Sequence, residues 1–104
     1  MYDEVITGYG RLGTWFAADH YGVIPDFTTF AKAVTSGYQP LGGVFVGAGP
    51  RAALEANPDF FLRHGFTYSG HASACAAAMT NLDILEREGL LERALHVGAR
   101  LSSG

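Results

Sequence analysis

The chain has 104 residues, 48% of them apolar and 16% charged, with seven Lys/Arg against ten Asp/Glu for a net charge of −3. That balance describes a packed globular protein rather than a disordered one, and the lack of any basic cluster argues against nucleic acid or an anionic membrane as a partner. The single cysteine, Cys75, excludes an internal disulfide and fits a reducing, cytoplasmic setting, and no signal peptide or long apolar run is present.

In chain order, residues 3–6 read as the end of a short strand that runs into a glycine turn at 8–13. Residues 14–21 carry Trp15, Phe16, Ala18 and Tyr21 at a spacing that suits a short helix or turn ending at Gly22. A loop around Pro25 precedes a strand at 27–30, which leads straight to Lys32. Residues 41–46, LGGVFV, predict a buried strand. Pro50 suits the first position of a helix over 50–56, which Asn57-Pro58 stops. Residues 64–71, HGFTYSGH, are too rich in glycine for a helix and read as a loop.

The clearest helix spans 73–87, where Cys75, Met79, Leu82 and Leu85 recur at three- and four-residue steps, with Gly89 placed as its C-terminal glycine. Cys75 is expected as a small core residue. A second helix follows over 90–101, with no partner in sight to pack on. Strands alternating with helices imply an α/β layer arrangement, yet these pieces do not complete a covered sheet. The abrupt start and finish also read as cut, so the expectation is a fragment of a larger protein.

Four stretches carry chemistry. Lys32 is the only lysine, and its neighbours Phe30, Ala31, Ala33 and Val34 are apolar. Desolvation by such groups lets an amine lose its proton, the condition for a Schiff-base or general-base lysine. The alternative is a stem lying on apolar surface with its head in water. Strand alternation puts Asp3 and Val5 on one face and Glu4 on the other, so that a carboxylate and an apolar side chain together suit a heteroaromatic ring; the plainer reading is a strand-end acid capping a turn. Gly8, Gly10 and Gly13 match G-x-G-x-x-G, but a dinucleotide fingerprint needs an apolar strand before it and a helix opening on its last glycine. The 64–71 loop offers hydroxyls and free amides beside a helix start, which suits a phosphate. His64 and His71 have no third ligand cluster near them, so no metal site is expected.

Together these stretches resemble the class III (omega) aminotransferases, pyridoxal-phosphate enzymes of fold type I. The resemblance rests on Asp3-Glu4-Val5 with Gly8-Tyr9-Gly10-Arg11-Leu12-Gly13, Pro25-Asp26, Ala31-Lys32, Ser36-Gly37-Tyr38, Pro40-Leu41-Gly42-Gly43 and the 64–71 loop, and it covers nearly the whole chain. It implies that Lys32 is the catalytic lysine, bound to the aldehyde of pyridoxal 5'-phosphate and then shuttling a proton. Asp3 would pair with the ring nitrogen, Val5 would pack on the ring face, and Thr67, with Phe66 beside it, would bind the cofactor phosphate of a neighbouring subunit in a homodimer with a shared active site. The implied substrates are an amine or ω-amino-acid donor and a 2-oxo-acid acceptor.

By the same resemblance, residues 1–89 are part of the cofactor-binding large domain, with a mixed sheet and covering helices, and residues 90–104 begin a connector helix toward a small domain. Ala72 stands where the family usually has proline, which removes a pre-set helix start but no chemistry. The family's N-terminal phosphate turn and C-terminal substrate groups are not in this sequence, so the 104 residues alone are expected to be inactive. Two other readings are an aminomutase or racemase on the same scaffold, and a non-catalytic dinucleotide-binding module built on residues 8–13.

Overall fold

A computed structural model describes all residues, 1–104. The chain forms β1 (Tyr2–Asp3), α1 (Ala17–His20), β2 (Phe27–Phe30), a single 3₁₀ turn (Lys32–Val34), β3 (Gly43–Val46), α2 (Ala48–Glu55), α3 (Ala72–Arg87) and α4 (Leu90–Ser102). The three strands make one mixed sheet in the order β1-β2-β3, with β1 parallel and β3 antiparallel to the central β2.

Register sorts the side chains between two faces. Tyr2 pairs with Thr28 and Asp3 with Thr29, while Thr28 faces Phe45 and Phe30 faces Gly43. Directly opposed residues share a face. Thr28, Phe30 and Phe45 therefore lie on one side, and Asp3, Thr29 and Val44 on the other. On the first side the Phe30 and Phe45 rings stack at 4.6 Å, and Tyr9 and Phe16 meet them edge-on. Gly43 makes room for this arrangement: a Cβ there would stand 2.6 Å from Cζ of Phe30.

Tyr9, Val34 and Ala78 form the buried centre, with Trp15, Phe16, Phe30, Leu41, Leu82 and Leu85 packed against it. Helix α3 closes this core with a stripe whose fully buried members are alanines, Ala74 and Ala78. The small side chain of Ala78 lets the helix come close to Val34 and Tyr9. The expected core positions Cys75 and Met79 are exposed, Met79 at 61%. Leu82 and Leu85 of the same stripe do pack on the core, whereas in the first half of the helix the buried positions lie one residue earlier, at Ala74 and Ala78, because only small side chains fit that close approach. Gly89 ends α3 as expected, in the left-handed conformation at φ 62°.

Three other expectations are corrected. Strand β1 stops at Asp3 rather than Ile6, because the Val5 N–H turns back to the Asp3 carboxylate and the Gly8 N–H bonds to the Glu4 carbonyl in place of a ladder partner. Strand β3 is not buried: Val44, Phe45 and Val46 are 54%, 49% and 41% exposed, since β3 is an edge strand of this sheet. Helix α4 does find a partner, packing on α3 and on the glycine turn, where a Cβ at Gly13 would overlap the Leu95 side chain and one at Gly10 would touch Leu91.

Candidate functional site

Asp3, Val5, Ile6, Thr7 and Lys32 line one open cleft of about 430 Å³ at the β1/β2 end of the sheet. Three of the five sequence-selected residues are thus brought together by parallel pairing: β1 and β2 end side by side, and both chains leave the sheet at the same edge. Val5 lies in the turn beyond β1, and it still lines the cleft with Asp3.

The Asp3 carboxylate is exposed but held. Its Oδ1 accepts the Val5 N–H at 3.1 Å and the Thr29 hydroxyl at 3.0 Å, which leaves Oδ2 with no partner in the chain. The Val5 amide, then the Thr29 hydroxyl, and more weakly the Lys32 charge, hold this carboxyl below the ordinary carboxylate range. The cleft therefore presents an ionised carboxylate with a free oxygen beside an apolar side chain and a primary amine.

Glu4 does something different. It is 1% exposed, and its carboxylate accepts the N–H groups of Ala17 at 3.0 Å and Ala18 at 2.8 Å and the Thr7 hydroxyl. Phe16, the residue before α1, has no side-chain acceptor, so a carboxylate from thirteen residues upstream caps that helix. Burial alone would raise the Glu4 pKa; the Thr7 hydroxyl and the Ala18 and Ala17 amides outweigh it and hold it low.

Lys32 opens the 3₁₀ turn in the left-handed region at φ 47°, and Ser36 closes the segment at φ 50°. Such a conformation costs a non-glycine residue about 1–3 kcal/mol, and surrounding contacts must hold it. Asn81 of α3 supplies them: its Nδ2 donates to the carbonyls of Ala33 at 2.8 Å and Val34 at 3.1 Å, and its Oδ1 accepts the Ser36 hydroxyl at 2.7 Å. The buried Thr35 hydroxyl adds a bond to the Gln39 carbonyl at 2.6 Å. The expectation that apolar neighbours surround the amine is corrected. Lys32 is exposed, because Ala33 and Val34 turn into the core while the left-handed backbone sends the lysine toward the cleft.

Phe66 and Thr67 stand apart from this cleft, in the exposed 61–71 loop that leads into α3. The Phe66 N–H bonds to the Ser69 hydroxyl at 2.8 Å and the His64 ring lies edge-on to Phe66 at 5.4 Å. His64 and His71 each pack on a local aromatic ring. Residues 8–13 do not open a helix; α1 starts four residues later with Glu4 at its amides, so the phosphate-binding geometry of a dinucleotide turn is not built here.

A sequence-family model, Aminotransferase class-III, matches residues 1–104. The chain belongs to the class-III aminotransferases. These are pyridoxal-phosphate-dependent enzymes of fold type I. The chain is 50% identical over 101 residues to the diaminobutyrate–2-oxoglutarate transaminase of Halomonas elongata, covering 95% of this chain and 22% of that protein. It superposes with a TM-score of 0.88 and 56% identity on an (S)-enantioselective omega-transaminase from Thermomicrobium roseum, covering 95% of this chain and 22% of the other. An amine transaminase from an uncultivated Pseudomonas species, solved in its pyridoxal-phosphate-bound internal aldimine form, matches at TM-score 0.89 and 45% identity over 94% of this chain and 22% of its own. The chain thus spans about a fifth of the length of the relatives it matches.

Within this aminotransferase segment, three supporting residues escaped the sequence reading. Strand alternation sets Glu4 on the face opposite Asp3 but gives no sign of its capping role. Thr29 was simply part of a strand. Asn81 carried the one usable signal: a poor helix former in mid-helix, three residues after Ala78 and four before Leu85, lies on the packed face and needs polar partners there. No helix is long and apolar enough to cross a membrane.

Proposed function

We propose that this chain is the lysine-bearing part of an aminotransferase that moves an amino group between an amine or ω-amino acid and a 2-oxo acid. The observation that carries the reading is the convergence of Asp3, Val5 and Lys32 on one cleft. Pyridoxal phosphate, when bound, supplies an electron sink that acidifies the hydrogen on the amine-bearing carbon. The residues present fit such a ring. Asp3 offers an ionised carboxylate with Oδ2 free to pair with a protonated ring nitrogen, and Thr29 and the Val5 amide keep that carboxylate from rotating away. Val5 gives the ring face an apolar contact. Lys32, exposed at the cleft, serves first as the amine that anchors the cofactor aldehyde and then as the base that takes and returns the proton at the substrate carbon.

Phe66 and Thr67 lie outside this cleft and sit on an exposed loop. In the proposal they belong to the shared site of a homodimer, with the Thr67 hydroxyl reaching the cofactor phosphate held by the neighbouring subunit. Residues 1–89 then form part of the large domain, and α4 begins the connector toward a small domain. The donor and acceptor classes are supported by the relatives, among them a diaminobutyrate–2-oxoglutarate transaminase and an omega-transaminase.

The test is made on the native enzyme that carries this segment. Adding pyridoxal phosphate should produce a visible absorbance band, and Lys32→Ala should lose both the band and turnover of an amine with a 2-oxo acid. Normal turnover by Lys32→Ala would sink the proposal.

A further inference from the structure

Lys32 is held in an unfavourable backbone conformation by a residue that makes no contact with the cleft. The turn from Lys32 to Ser36 has a left-handed residue at each end, φ 47° and φ 50°. Between them lie the carbonyls of Ala33 and Val34, and both accept from the same amide nitrogen, Nδ2 of Asn81. The other end of that amide, Oδ1, takes the hydroxyl of Ser36, the closing residue. One planar group thus fixes two carbonyls and the far end of the turn at once, from a sequence distance of more than forty residues.

The choice of amide is chemically specific. The turn shows Asn81 two acceptors and one donor, and only a side chain that donates at one end and accepts at the other satisfies all three. A carboxylate would set oxygen against two carbonyl oxygens, and an aliphatic side chain would leave both carbonyls without the amide. Asn81 also belongs to α3, whose first turn directly follows the 64–71 loop bearing Thr67. The amide therefore ties the lysine turn to the helix that continues from the other proposed cofactor-binding segment.

We infer that Asn81 is a positioning residue of the aminotransferase site, locking the 32–36 turn so that the Lys32 amine is presented to the cleft. The inference rests on the reading of Lys32 as the reactive lysine. It concerns the backbone of this chain, so it has a readout that needs no cofactor: amide hydrogen exchange at Val34, Thr35 and Ser36.

The test compares Asn81→Ala and Asn81→Asp with Leu85→Ala, a core truncation on the same helix, in the native enzyme. In the cofactor-free protein, both Asn81 variants should speed exchange at Val34, Thr35 and Ser36 while the amides of Leu82 and Leu85 keep their protection. In the loaded enzyme, both should lower kcat roughly ten- to a hundredfold with the donor KM nearly unchanged, as expected when a reacting group is misplaced by about an ångström. Leu85→Ala should lower Tm and leave kcat near the wild-type value.

If Asn81→Ala does not accumulate as folded protein, Ser36→Ala removes only the bond to Oδ1 and should show the same pattern at a smaller size. Wild-type kcat in the Asn81 variants, or exchange that rises evenly along α3 as in Leu85→Ala, would overturn the inference while leaving Lys32 its role. Normal turnover by Lys32→Ala would overturn the reading beneath it and the inference with it.

Discussion

Asp3 and Glu4 are neighbours of the same chemistry, yet the strand sends them to opposite faces and to different work. Asp3 faces the cleft with one oxygen free; Glu4 is buried, with its carboxylate committed to Thr7, Ala17 and Ala18. Because the folded-state pKa of Glu4 is depressed, the unfolded chain takes up its proton first as pH falls. The stability Glu4 contributes is therefore present above the ordinary carboxylate range and is lost as pH drops through its lowered folded value. Glu4→Gln keeps the shape but turns an amide N–H toward backbone N–H groups, and should cost about 2 kcal/mol at neutral pH. Urea unfolding across acid pH checks this: the variant should show a flatter acid limb than wild type, and an unchanged limb would show that Glu4 contributes nothing to acid stability. At this scale the sequence was readable wherever two-residue alternation applied, which covers Asp3 against Glu4. It was silent on the left-handed backbone at Lys32 and Ser36, which no propensity favours and which depends on an amide from a distant helix.

Helix α3 is legible in its span and only in part in the face it buries. Its span was legible from periodicity and from Gly89, and the structure extends it by a single residue to Ala72. Its buried face was legible at Leu82 and Leu85, which pack on the core, but not in the first half of the helix, where Ala78 meets Val34 and Tyr9 and the buried positions are Ala74 and Ala78 rather than Cys75 and Met79. Side-chain size, not hydrophobicity, decides which stripe faces in when two backbones approach closely. Ala78→Leu should therefore cost about 1–3 kcal/mol by overpacking, whereas Met79→Ala should stay within about 0.5 kcal/mol of wild type, as exposed positions do. Thermal unfolding of the two variants tests the assignment, and a larger loss from Met79→Ala would put the sulfur side chain, not the alanine, on the packed face. The same reasoning explains α4. Its docking depends on glycines at 10 and 13 having no side chain where Leu91 and Leu95 settle, and nothing in the helix's own pattern could reveal that.

Over the whole molecule, the α/β layering and the mixed sheet were legible, and the extent of exposure was not. The Cα radius of gyration is 16.1 Å, with extents of 58 × 32 × 19 Å, against about 13 Å for a compact domain of this size. Only 11 of the 104 residues are buried, while Phe61, Phe66 and Tyr68 are each more than 75% exposed. A core of this size stands against a backbone entropy of about 1–2 kcal/mol per ordered residue. These 104 residues on their own should accordingly show no sharp cooperative transition by calorimetry and should bind a dye that reports exposed apolar surface. A single sharp transition with no dye binding would show that the thin core suffices.

The proposal that Lys32 carries the cofactor is open to direct mapping of the modified residue. The native enzyme, loaded with pyridoxal phosphate and reduced with borohydride, is digested and its peptides weighed. The pyridoxyl mass should appear on the peptide containing Lys32, in proportion to the activity lost on reduction. The cofactor mass on any other residue, with Lys32 unmodified, would contradict it.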